Sequence, residues 1–140
     1  AGMASVAAAE QYRRVREYEK AQAAYERAIA YFERAVVADE ANRESADPAI
    51  ALALAGRARV AYQLGNDELA LADLLAAFAR DPESAGTRDG AGITPGETAQ
   101  MLLARLREKK QEDAAGKLAE ALGRIDPDLL RPDIGLEEPK

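Results

Sequence analysis

From Ser5 to about Asp39 the chain lacks Gly and Pro, and its apolar residues recur at three- and four-residue intervals, as in Tyr25, Ala28, Ile29, Phe32, Ala35 and Val36. That period lines one face of a helix. The stretch is long for one globular helix, so a tight turn is predicted near Ala21 to Ala24, with a single unbroken helix as the alternative. Polar residues Glu40 to Asp47 interrupt the pattern, and Asp47-Pro48 reads as an N-cap followed by proline at the first helical position. A third helix is predicted from there to about Leu64, stopped by Gly65. Asn66 or Asp67 can cap a fourth, Leu69 to Arg80, which Asp81-Pro82 ends. Residues 81–94 form a Gly-rich loop whose Gly86, Gly90 and Gly92, without periodicity, give it no local reason to order. Thr94-Pro95-Gly96-Glu97 then reads as a capping box. A fifth helix is predicted to about Lys110 and a sixth from Glu112 to Gly123, closed by Asp126-Pro127. A C-terminal tail follows at 128–140, and its polar stretch from Arg131 to Lys140, with two prolines, is expected to fray.

Two segments repeat each other 42 residues apart, Ala23 to Ala35 and Gly65 to Ala77. In both, an alanine (Ala28, Ala70) is followed by a bulky residue (Phe32, Leu74) and another alanine (Ala35, Ala77). Small side chains at fixed depths let paired helices touch, which predicts stacked hairpins presenting a surface.

Composition narrows the chemistry. At 140 residues one domain is expected, here 5–127. The hydrophobic fraction of 48% rests mainly on Ala and Leu, with aromatics at 5%, which favours an all-α class over strands. A net charge of −6 argues against nucleic acid as a partner, since that interaction depends on Lys and Arg neutralising phosphate. The chain has no Cys and no His, which removes disulfides, thiolate chemistry, imidazole acid–base catalysis and the commonest metal ligand. No cofactor or metal is expected, and a non-enzymatic role follows. The longest purely apolar run, Ala49 to Ala55, is far below the ~18 residues a membrane span needs, so no membrane insertion and a soluble chain are expected. Ala1-Gly2 before Met3 reads as a cloning remnant, which predicts a cytoplasmic protein, or a periplasmic or secreted one if a signal segment was removed.

Leu54, Ala58, Gly65, Ala70, Leu74, Ala77 and Pro82 fall at the large, small, Gly, Ala, large, Ala and Pro positions of the 34-residue tetratricopeptide (TPR) pattern when it starts at Ala51. The central segment thus resembles that family, with Ala61 where the family favours tyrosine and Tyr62 beside it. Ala28, Phe32 and Ala35 match in a first repeat whose leading helix departs at Arg16. The third fits with Ala114, Leu118 and Ala121, or one residue later with Pro127 in the final place. The resemblance implies a right-handed α-α superhelix of about three helical hairpins, at about 9–42, 48–82 and 94–127. Intervals longer than the standard period, together with Asp47-Pro48, are similar to the repeats of kinesin light chain.

In this family the first helix of each pair lines a concave face that holds a peptide or helix of another protein. The resemblance places Leu52, Ala55, Arg59, Tyr62 and Gln63 there in the central repeat, and Arg13, Glu17 and Lys20 in the first. Arg and Tyr suit such a role, being enriched among residues that carry binding energy. Ala55 and the Arg13/Arg16 pair do not reproduce the family's carboxylate clamp for chaperone tails. The basic cluster Arg13-Arg14-x-Arg16 is flanked by Glu10, Glu17 and Glu19, which predicts ion pairs on the helix surface rather than RNA binding. Met101, Leu102, Leu103 and Leu106 give the fifth helix a wide apolar arc, so a homo-oligomer or larger complex assembled through it is the second expectation.

Overall fold

Three turns of the same construction divide the chain, in a computed structural model that describes residues 1–131. At each, one residue takes the left-handed region, with φ of 63° at Arg16, 82° at Gly65 and 60° at Lys110. Its N–H donates to a carbonyl three residues back, on Arg13, Tyr62 or Arg107, at 3.1, 3.1 and 3.0 Å. The next N–H reaches five back, from Glu17 to Tyr12, Asn66 to Ala61 and Gln111 to Leu106, at 2.8, 2.8 and 2.9 Å. Carbonyls left over at a helix end are satisfied by this double bond, and the chain reverses.

The turns define three hairpins: α1 (Gly2–Arg14) with α2 (Tyr18–Ala38), α3 (Arg43–Gln63) with α4 (Asp67–Arg80), and α5 (Pro95–Glu108) with α6 (Glu112–Gly123). Short 3-10 turns cover Glu40–Asn42 and Pro82–Gly86, and α7 (Pro127–Leu130) ends the described chain. Among the described residues there is no strand, so the all-α class stands. The fraying expected of the tail concerns mainly residues 132–140, which lie outside the described residues.

The first turn falls at Val15 to Glu17, not at Ala21 to Ala24, and Ala21 and Ala24 are fully buried inside α2. Repeat positions move with it. Ala21, Ala70 and Ala115 each lie five residues after the left-handed residue and are buried, and Ala28, Ala77 and Leu122 each lie twelve after it. Ala28 therefore corresponds to Ala77 rather than Ala70. Ala21, Ala28 and Ala35 recur every seven residues, so a slip of two helical turns leaves small residues on the same face. In the third hairpin the turn at Lys110 matches the later setting, with Ala115 and Leu122 buried, although Leu118 of the earlier setting is buried as well.

Helix α3 also starts earlier than Asp47-Pro48 implies. Asp39 Oδ1 accepts the Ala41 N–H at 3.0 Å and Asn42 Nδ2 donates to the Ala35 carbonyl at 2.8 Å, so the 3-10 turn feeds directly into a helix beginning at Arg43. Pro48 sits inside it, where its missing N–H forfeits one backbone bond near the helix start. Asp47 does not cap; it accepts from Arg80 Nη1 at 3.2 Å.

Successive hairpins share apolar clusters. Ala9, Ala21, Ala24, Tyr25, Ala28, Ala53 and Val60 join α1, α2 and α3. Ala58, Ala61, Ala70, Leu74, Leu102, Leu106 and Leu118 join α3 to α6. The first of these contacts needs a glycine: Tyr25 is 1% exposed and lies so close over Gly56 that a Cβ there would stand 2.4 Å from its ring. Ion pairs tie the helices at their margins. Arg57 grips the buried Asp73 at 2.8 and 2.9 Å, and Arg80 bridges Glu33 and Asp47.

Candidate functional site

Glu10, Arg13 and Arg14 stand three and four residues apart on α1, which places them on one face of the helix. All three hold the loop at Asp89-Gly90. Arg13 Nη2 donates to Asp89 Oδ2 at 2.9 Å, Arg14 Nη2 to the Gly90 carbonyl at 2.6 Å, and Glu10 Oε2 accepts the Gly90 N–H at 2.9 Å. The second arm of Arg13 donates to the Tyr25 hydroxyl at 3.1 Å. Arg13 is only 7% exposed, so its charge is neutralised where water hardly reaches it. Burial pushes the Tyr25 phenol up to about 12, against the opposing pull of Arg13.

The loop is thus not the flexible linker its glycines imply. Asp89 Oδ1 accepts the N–H groups of Ala91 and Ile93 at 2.9 and 3.0 Å, and the Asp89 N–H donates to the Ile93 carbonyl at 2.9 Å. This closes a small turn through Gly92, at φ 82°, and leaves the other carboxylate oxygen for Arg13. Upstream, Ala85 is fully buried; downstream, Thr94 and Glu97 form the expected capping box, at 3.0 and 3.1 Å. The ordering comes from α1, some 76 to 80 residues away in sequence, which no local period reports. The available signal was the Asp-Gly step facing a Glu-x-x-Arg-Arg spacing.

Of the residues assigned to a concave face, Leu52, Ala55 and Arg59 line a narrow cleft with Asp89, Ile93, Thr94 and Thr98. Arg13 reaches the same place through Asp89. Arg59 Nη1 donates to Thr98 Oγ1 at 3.3 Å, and burial, followed by the nearby Arg13 charge, holds its guanidinium below the ordinary arginine range. Tyr62 belongs to a neighbouring cluster: the Arg105 guanidinium lies 3.7 Å over its ring, donates to the Tyr62 carbonyl at 2.8 Å, and reaches Asp67 Oδ1 at 3.1 Å. Gln63 is exposed beside the turn. Glu17 and Lys20 are exposed and paired at 3.3 Å, with Lys20 Nζ 5.9 Å from the Tyr12 ring centre. The basic cluster does not follow the expected surface pairing with Glu10, Glu17 and Glu19, because Asp89 and Gly90 engage Arg13, Arg14 and Glu10.

Behind Gly90 a groove of about 260 Å³ runs between α1 and α3, walled by Met3, Val6, Ala7, Ala49 and Leu52. Its walls are apolar and its end at Glu10 and Asp89 is charged. On α5, Leu102 and Leu106 are buried and Leu103 packs at the core margin, while Met101 is 39% exposed on an open face with Gln100 and Ala104. Asn66, not Asp67, caps α4, its side chain accepting the Leu69 N–H at 3.2 Å. Among the described residues no group of three or more acidic side chains is arranged to hold a metal ion, and no helix is long and apolar enough to cross a membrane. No protein-family model, curated protein or solved structure matches the chain.

Proposed function

We propose that this chain is a non-catalytic protein–protein interaction module, built as a right-handed stack of TPR-like hairpins, that holds a peptide or helix of a partner against the α1/α3 face. The observation that carries this reading is the docked loop. That face already seats a segment of backbone through its carboxylate, N–H and C=O groups, with an apolar groove adjoining. Preformed helices hold the groove in shape before a partner arrives, which limits the entropy lost on binding. The buried Ala70, Leu74 and Ala77, with Gly65 at the turn, support the resemblance in the central hairpin.

The test is partner capture by the tagged chain, with identification by mass spectrometry and affinity measured for the identified partner. Ala7→Glu places a charge on the exposed groove wall and is expected to weaken affinity at least tenfold while leaving the far-ultraviolet circular dichroism unchanged. Equal affinity in the variant removes this groove from consideration. The second reading, self-assembly through α5, draws on the exposed Met101 face. Light scattering across a wide concentration range decides it, since a constant monomer mass eliminates that reading.

A further inference from the structure

The α1 face makes contacts that define a ligand. Three side chains of α1 read three polar groups of one Asp-Gly step, one carboxylate oxygen by Arg13, the Gly90 N–H by Glu10 and the Gly90 carbonyl by Arg14, while the remaining groups of Asp89 bond within the loop. Arg13 is positioned for this by the Tyr25 hydroxyl, which occupies its other arm in a water-poor site. A glycine after the acid fits the geometry, since a Cβ on Gly90 would stand 2.1 Å from Glu10 Oε1. The apolar groove opens directly behind this step, so a segment carrying apolar residues next to its Asp-Gly would fill both parts.

We infer that Glu10, Arg13 and Arg14 form a receptor for an acidic Asp-Gly turn with apolar flanks, that a partner of this chemistry is what the module captures, and that residues 88–93 are a tethered occupant which such a partner displaces. This inference rests on the interaction-module reading and specifies its ligand. Charge complementarity supports it: a carboxylate meets a guanidinium at 2.9 Å with both side chains largely shielded, at 5% and 13% exposure. Tethering sets the competition, because a short loop presents its own Asp at an effective concentration of roughly millimolar.

A synthetic peptide, Thr-Arg-Asp-Gly-Ala-Gly-Ile, copied from residues 87–93, serves as the probe, titrated to millimolar levels into the isotope-labelled full chain. In Asp89→Ala, whose occupant has lost its carboxylate, saturable amide shifts are expected at Glu10 and Tyr12 to Val15, with affinity at least tenfold above that of the unaltered chain. Gly90→Val pushes the Glu10 carboxylate off the Gly90 N–H and is expected to weaken the loop's hold, so that the peptide binds this variant more tightly than the unaltered chain, with circular dichroism establishing that each chain is folded. A peptide with Asn for Asp is expected to bind at least tenfold more weakly, as is the parent peptide to Asp89→Ala carrying Arg13→Met. Absence of saturable shifts in both variants, or equal binding of the Asp and Asn peptides, overturns the inference. A natural partner whose affinity is unchanged by Arg13→Met also overturns it, while leaving the module reading in place.

Discussion

Arg16 and Lys110 hold backbone conformations that ordinarily belong to glycine, with φ near 60°, at turns where Gly65 occupies the corresponding place. The left-handed region brings Cβ against the following carbonyl and costs an L-residue about 1–2 kcal/mol, whereas glycine adopts it freely but loses more entropy on folding. Arg16→Gly and Lys110→Gly are therefore each expected to stabilise the chain by about 0.5–1 kcal/mol, measured by urea unfolding. No change in either variant would show that the turns are not under strain. The same residues explain why the first turn lies at Val15 to Glu17 without a local mark in the sequence. A Gly at 16 would mark the stop as clearly as Gly65 does, whereas an arginine there reads as one more helical residue.

At the level of helices, the capping box at Thr94, the stop at Gly65 and the end of α6 were legible because each depends on residues within one turn of the chain. The ion pairs that pin one helix on the next were not, since Asp67 and Arg105 are brought together only by packing. Burial works against the Asp67 charge, but hydrogen bonds from Arg105 and Lys109 outweigh it and hold its carboxyl below the ordinary value of 3.8. The unfolded chain then takes up a proton first as pH falls. The stabilisation is present above about pH 3.8 and disappears as pH drops through the lower, folded value. Asp67→Asn is expected to lower stability by about 1–3 kcal/mol at neutral pH and to flatten the acid limb of the stability profile. An identical acid limb in both chains would assign that dependence to other carboxylates.

Across the whole molecule, the helical class could be read from composition and helical period, and the central hairpin from Gly65, whereas the depth of the first hairpin and the destination of the 81–94 loop could not. Its contacts join residues that neighbour nothing in common along the chain. The face around Leu52, Ala55 and Arg59 is assigned to a partner by analogy of position alone, and what lies on it depends on Asp89 meeting Arg13. In a stack of repeats each unit ordinarily touches only the next, so stability adds up link by link and the ends can melt alone. Here the strap from the second-to-third junction returns to the first hairpin. That return contact converts an open array into a loop of interactions, and heat should dissolve it in a single cooperative transition. Calorimetry of Asp89→Ala is expected to resolve two overlapping peaks where the intact chain gives one, with the first hairpin unzipping early. One amino acid would thereby set whether this chain melts as a unit or comes apart in sections.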